Sequence, residues 1–493
     1  MELNFSELGL ERFLTQAYSQ ALVEGELPLP DGRKGAAVLG AEGSVTVTDT
    51  ALSEGSITVE GRLRVELLCD DGEGVFAAAS SAAFRHSFPV KEAASGLRAE
   101  TSVSLVSLTV EAEEVPKLSA VLDVTCLLTD AAPLRVLESC RGTQALECRR
   151  QRFVTAVPAK LGEETLGVRE KINAPGVERV IRAGGVCEMR SLRLGGDMAL
   201  VEGMLAVNAL CADGEGRLMQ LQHHIPVSFE LAAETKGRAE ESCSASAEVV
   251  SVSLSPVDGE AGLLSVQAEV TVTLTAAENA AFDVPLAAYV PGADLEAQKE
   301  EAVFLLRGMP VKLRFGATET LQVPEGMPPC ARVVSCTARP LITAAAAEDG
   351  CLRAEGLLFT RVLAETDGGT LFSFAEDIPF RAECAVDPSM QGAGTAVSLA
   401  AVSASGVGRS ISLSYTLLLT AAPYALSETA VVTGLTECAA PFGEKGIVLY
   451  FAGEGEKLFD VGCRFRVPQS RLTALNPDAK ETLSEGERLV LLL

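Results

Sequence analysis

The sequence predicts a mostly β protein, with three repeated antiparallel β-sandwich-like modules followed by a small strand–helix–helix–strand domain. Three observations carry that prediction. Landmarks recur in fixed order at a domain-sized period, each unit holds a run of alternating apolar and polar residues, and the C-terminal stretch abandons both habits. At 493 residues the chain is long enough for three or four domains. A hydrophobic content of 47% supplies material for their cores and excludes global disorder.

Residues 1–25 come first. Phe5, Leu8, Leu10, Phe13, Leu14, Ala17 and Ala21 recur at roughly helical spacing. This predicts an N-terminal amphipathic helix, packed on the first module or docked on a partner.

The repeats are expected over 26–160, 161–310 and 311–437. Each opens on a segment ending in proline: Glu26-Leu27-Pro28-Leu29-Pro30, Lys171-Ile172-Asn173-Ala174-Pro175 and Thr320-Leu321-Gln322-Val323-Pro324. A Glu-Gly step inside an apolar run follows, at Glu60-Gly61, Glu202-Gly203 and Glu355-Gly356. About ten residues on comes a turn, at Asp71-Gly72-Glu73-Gly74, Asp213-Gly214-Glu215-Gly216 and Asp367-Gly368-Gly369, and then a proline at Pro89, Pro226 or Pro379. Gly61 to Gly203 is 142 residues and Gly203 to Gly356 is 153, a period far longer than that of a solenoid. The Glu-Gly run and the segment beyond the Asp-Gly turn read as a hairpin, because such a turn needs positive φ.

Late in each unit the alternation is clearest. Leu122, Val124, Cys126 and Leu128 share one face; so do Val266, Ala268, Val270, Val272 and Leu274, and Ile411, Leu413, Tyr415 and Leu417. Period two with one polar face marks strands packed on one side. Several such strands per unit, with turns between them, argue for a sandwich or barrel-like module.

The final segment, 438–493, has its own order. Ile447–Phe451 reads as a strand, Gly453–Glu456 as a turn, Lys457–Phe465 as a helix, and Leu472 and Leu475 mark a second helix stopped by Asn476-Pro477. A turn at Leu483–Gly486 leads to a last strand, Arg488–Leu492.

Composition excludes several function classes. With 41 Lys and Arg against 67 Asp and Glu, the formal charge is -26, which disfavours nucleic-acid backbones and anionic lipid. Aromatics are 5% with no Trp, which weakens any stacking platform for bases or sugars. The thirteen Cys are scattered without a C-x-x-C, so reduced buried thiols in a cytosolic protein are expected, not a zinc or disulfide framework. Met1-Glu2-Leu3-Asn4 lacks the basic and apolar regions of a signal peptide. Pro388–Gly408 is uncharged but rich in Ser, Gly and Ala, and reads as strands and turns, not a membrane span.

Catalytic chemistry finds little footing. The three His are at 86, 223 and 224, without counterparts in the third unit, and read as strand residues. Phosphate-loop, H-E-x-x-H and G-x-S-x-G patterns do not occur. Cys69 and Cys211 are repeat-equivalent and read as core thiols. The acidic turns at Asp70–Glu73 and Asp213–Glu215 lack the spacing of a calcium loop. Arg149, Arg150 and Arg152 form a basic cluster, read as a solvated linker between units one and two or a contact for an acidic partner. No catalytic residue, metal site or cofactor is expected.

Two resemblances add to this reading. Gly455, Leu458, Phe459, Val461, Phe465, Val467, Leu472, Leu475-Asn476-Pro477, Leu483, Gly486 and Leu489 make the final tenth of the chain resemble a LysM domain. It departs from that family where Gly455-Glu456-Lys457 replaces the usual Gly-Asp-Thr turn. The proline-ended segments (best at Val323–Pro328), the Val-Glu-Gly runs and the Ile378-Pro379-Phe380 step resemble SPOCS domains, the β-rich modules of spore coat and spore-morphogenesis proteins. Three such repeats followed by a LysM domain resemble the family of coat-morphogenesis proteins of endospore formers. That resemblance implies a non-enzymatic scaffold on the mother-cell side of the forespore surface, whose LysM domain recruits a SpoIVA-type coat-basement ATPase and which meets other coat proteins. The binding positions it implies are the LysM loops, Glu454, Gly455, Glu456, Lys457, Asn476, Pro477 and Asp478. The alternative is a cell-wall protein that binds peptidoglycan, a polymer of N-acetylglucosamine, through the same loops.

Overall fold

The structure, a computed structural model, describes residues 2–30, 33, 35–111, 113–141, 146–235, 237–257, 259–260, 262–438 and 446–493. The stretch 439–445, at the start of the expected C-terminal domain, lies outside the described residues. The chain is mostly strand. The first repeat contains β1 (Glu2–Leu8), β2 (Arg12–Glu26), β3 (Ala37–Ser53), β4 (Ser56–Asp70), β5 (Val75–Pro89), β6 (Arg98–Glu111), β7 (Lys117–Asp130) and β8 (Leu134–Arg141). The second contains β9 (Glu147–Asn173), β10 (Arg179–Gly195), β11 (Met198–Ala212), β12 (Leu218–Ala232), β13 (Cys243–Pro256) and β14 (Leu263–Tyr289). The third contains β15 (Leu295–Arg307), β16 (Val311–Gln322), β17 (Arg332–Glu348), β18 (Cys351–Glu365), β19 (Leu371–Ala385), β20 (Gly392–Val407) and β21 (Ser410–Glu437). The tail holds β22 (Ile447–Phe451), α1 (Leu458–Phe465), α2 (Gln469–Leu475) and β23 (Arg488–Leu492).

Each repeat folds into two three-stranded antiparallel sheets packed face to face. The layers are β3-β4-β5 over β2-β7-β6, β10-β11-β12 over β9-β14-β13, and β17-β18-β19 over β16-β21-β20, and β15 pairs with both β21 and β2, which joins the outer layers of the first and third repeats into one seven-stranded sheet. The alternating runs read from the sequence form the inner faces: Leu122, Val124, Cys126 and Leu128 meet Leu63, Val65 and Leu67 in the first core. Cys69 and Cys211 lie in the first and second cores, and Ala364 takes the corresponding place in the third. Burial pushes the Cys211 thiol up to about 11.

The Glu-Gly step has a steric cause. A β-bulge in the preceding strand brings a carbonyl against the glycine. A Cβ would lie 2.5 Å from Thr46 O at Gly61, 2.4 Å from Glu188 O at Gly203 and 2.2 Å from Leu341 O at Gly356. The Asp-Gly turns join β4 to β5, β11 to β12 and β18 to β19, as the hairpin reading expects. Pro226 and Pro379 are equivalent positions on edge strands, facing Met204 and Leu357. Pro89 is not their counterpart, since it faces Ser56 at the end of β5.

Two expectations are overturned. Residues 1–25 form no amphipathic helix: β1 pairs with β8 and β2 with β7. β1 turns Leu3 and Phe5 to one core and Leu8 to another, and a bulge at Phe13/Thr15 shifts the phase of β2, which is why the apolar positions imitate helical spacing. Nor are Arg149, Arg150 and Arg152 a linker, because β9 runs through them paired to β14. The boundary expected at 160 falls inside this same strand.

These long strands build a body that the sequence did not announce. Each repeat extends a two-stranded ribbon out of its sandwich: β1 with β8, the first half of β9 with the second half of β14, and β15 with the second half of β21. The three ribbons meet in a hub, where Leu8, Leu134, Phe153, Val284, Phe304 and Val431 share one core. Arg307 fastens the hub to the first sandwich, donating to Glu11 at 3.0 Å and to Glu100 at 2.9 Å and 3.1 Å.

The sandwiches themselves form a closed ring around a pseudo-threefold axis. β5 lies against β10, β12 against β17 and β19 against β3. On the axis, three equivalent triplets pack together: Leu68, Leu210 and Leu363; Val75, Leu218 and Leu371; and Leu39, Ile181 and Val334. Each member of the last triplet is the residue displaced by a bulge.

Candidate interaction surface

The tail folds as the strand–helix–helix–strand order predicts. β22 and β23 pair antiparallel, and Leu458, Val461, Val467, Leu472, Leu489 and Leu491 fill a small core beneath them. Gly455, with φ of 75°, makes the turn before α1, and Arg466, in the left-handed region, ends that helix. The loop before α1 and the loop after α2 are zipped together. Leu483 N donates to Glu456 O at 2.8 Å, Gly455 N to Leu483 O at 3.1 Å, and Leu458 N to Glu481 O at 2.9 Å.

Of the seven loop residues singled out in the sequence, five present themselves to solvent and two are spent on the fold. Glu454, Gly455, Lys457, Pro477 and Asp478 are exposed. Lys457 has no ion-pair partner among the described residues. Glu456 accepts from the Tyr450 hydroxyl at 2.8 Å and 2.9 Å and from Gly453 N at 3.1 Å, and faces Arg464 at 3.3 Å. Asn476 is buried. Its amide donates to Leu472 O and Val490 O, both at 2.9 Å, and accepts from Val490 N at 2.7 Å, tying α2 to β23.

The sequence reading missed a second feature beside these loops. In β22, Val448 and Tyr450 point into the tail core, which leaves Ile447 79%, Leu449 54% and Phe451 58% exposed. Val490, paired with Leu449, adds 38% on the neighbouring strand. Adjacent exposed apolar residues on one sheet face are the kind of surface that marks an interaction site.

The opposite side of the tail is locked to the hub. Tyr289, at the end of β14, is fully buried and donates its hydroxyl to Val467 O at 2.9 Å. Its ring meets Phe459 edge-on at 5.4 Å, and burial raises its pKa. Arg149 reaches across to Asp460 at 2.8 Å, and Gly292 N donates to Arg466 O at 2.8 Å. One Arg of the cluster thus serves the tail interface.

No family model, curated protein or solved structure matches the chain.

The remaining candidates settle into structural roles. Asp71 Oδ1 accepts from Glu73 N and Gly74 N at 3.0 Å each, and Asp213 Oδ1 from Glu215 N and Arg217 N at 2.9 Å each, so these carboxylates brace their own turns. His86 is half-buried, bonded to Ser19 at 2.8 Å and stacked on Phe88. Among the described residues no group of three His, Cys, Asp or Glu is placed to hold a metal ion. Among the same residues, no helix is long and apolar enough to cross a membrane, and Gly392–Val407 is strand β20.

Proposed function

We propose that this chain is a non-enzymatic scaffold of endospore coat assembly, working on the mother-cell side of the forespore surface. Its tail recruits a SpoIVA-type coat-basement ATPase, and its ring offers faces to other coat proteins. The observation that carries this reading is the tail's arrangement. One side is fixed to the hub through Tyr289, while Ile447, Leu449, Phe451 and Val490 are turned outward, and the exposed loop residue Lys457 has no ion-pair partner among the described residues. Residues 446–493 contain six Lys and Arg and seven Asp and Glu, so the tail bears -1 of the -26. A partner approaching there meets far less repulsion than over the ring. The three-repeat order and the LysM-like tail supply the biological setting.

The test is capture of the full chain by two immobilised ligands, a SpoIVA-type ATPase from the same organism and purified peptidoglycan. Saturable capture by the ATPase is expected, weakened about tenfold or more by Leu449→Glu or Lys457→Glu with no change in thermal midpoint. Capture by peptidoglycan alone would replace this reading with that of a wall-binding protein.

A further inference from the structure

The three seams of the ring are not alike, and the difference lies at the seam that closes it. At the first seam, Arg179 opens β10 and donates to Val75 O at 3.1 Å, and Arg182 pairs with Glu42 at 2.7 Å. At the second, Arg332 opens β17 and donates to Leu218 O at 2.8 Å. Register makes Ala37 their equivalent at the third seam, so the third arginine of the set is missing.

The third seam holds a cavity of about 410 Å³ between the third and first sandwiches, against one of about 300 Å³ at the first seam. Two guanidinium groups line it. Arg339 lies 4.5 Å over the Phe359 ring and donates to Leu105 O beside the bulge in β6. Arg361 passes its stem across Gly40, where a Cβ would sit 2.9 Å from the Arg361 Cδ, so a larger residue would block its path. Arg361 is half-buried as a residue, and its guanidinium makes no hydrogen bond or ion pair among the described residues. The equivalent positions in the first and second repeats are Glu66 and Asn208.

An unpaired guanidinium at the wall of a cleft keeps its donors available to an anion. Two acids line the same cavity: Glu42 pairs with Arg182, and Asp377, exposed at the rim, acts on Arg339. Two guanidinium groups lining one cavity suit the oxygens of a carboxylate or phosphate, and the volume suits a small molecule. The geometry points to a binding site for a small polyanion, carrying carboxylate or phosphate groups, held between Arg361 and Arg339 at the ring-closing seam. This site is independent of the tail surface, so either can fail without the other.

Thermal unfolding and isothermal titration of the full chain test it, with citrate, pyrophosphate, sulfate and glycerol as probes at matched ionic strength. Citrate or pyrophosphate is expected to raise the midpoint and bind saturably, while sulfate and glycerol do neither. Arg361→Met should weaken the affinity tenfold or more, Arg361→Lys less, and Arg85→Met, at an exposed site, not at all. Arg361→Lys keeps a folded comparison should the Met variant fail to fold. Equal shifts with sulfate and citrate would reduce the effect to salt screening and overturn the assignment. So would the absence of any shift, or affinity that survives both Arg361 variants.

Discussion

Asn476 illustrates how a loop residue with a binding-site address can belong to the fold instead. Its side chain satisfies the last carbonyl of a helical turn and both polar groups of Val490. Asn476→Ala leaves both polar groups of Val490 without that partner, although Leu472 O keeps its bond from the Asn476 backbone, and should cost about 1–3 kcal/mol, read as earlier unfolding of the tail, with partner capture falling only as far as folding does. Glu66 presents the opposite case, a residue that works against the fold. It stands directly across from Glu42 on adjacent strands, and like charges in that geometry repel. Burial raises the Glu66 carboxyl pKa, Arg182 from the second repeat lowers it, and Glu42 raises it again, with a net rise. The folded protein therefore holds the Glu66 proton more tightly than the unfolded chain does. Its contribution to stability is present below the ordinary carboxyl range and is lost as pH rises through the raised value. Glu66→Gln should raise the thermal midpoint at neutral pH, and the gain should fade toward about pH 4, where the wild-type carboxyl is also protonated. A midpoint unchanged across that range would contradict the raised pKa and the sign of its effect.

At the level of elements, the docking of α1 turns on a single absent methyl group. A Cβ on Gly462 would lie 2.4 Å from the Tyr289 hydroxyl. Gly462→Ala should therefore loosen the tail from the hub, seen as amide exchange across α1 faster by about tenfold or more while the ring amides are unaffected. Elements with an unbroken rhythm were legible in the sequence: β7, β14 and β21 by strict alternation, and the tail helices by their spacing and by Asn476-Pro477. β1 and β2 were not, because β1 feeds a different core from each face and a bulge resets the phase of β2. The ribbons of the hub escaped notice for a related reason. One strand there serves two cores in succession, and nothing in its composition marks the passage from one to the next. In β22 all five residues are apolar, so only the pairing with β23 separates the inward Val448 and Tyr450 from the outward Ile447, Leu449 and Phe451.

For the whole molecule, the axial triplets decide whether three sandwiches behave as one. Leu210 meets residues of all three repeats at the centre of the ring. Leu210→Ala should cost about 2–5 kcal/mol, and the loss should fall on a single shared denaturation transition and not on the second repeat alone. Separate transitions for the three repeats would show that the ring is an assembly of independent parts. The repeat period was evident from glycines and turns, whereas the axis was not. Leu68, Leu210 and Leu363 look like ordinary strand residues until register places them on the outer face of three equivalent strands.

The ribbon of β9 and β14 also sets how the molecule bears load. The two strands stay paired from Glu147 and Tyr289 at the tail to Asn173 and Leu263 at the far side of the second sandwich. Their hydrogen bonds run across the strand direction. Tension along that direction loads the bonds in shear and side by side, so they must yield together, whereas a peeling force would break them one at a time. A pull on the tail is thereby carried through the hub into the ring along a strut of low compliance.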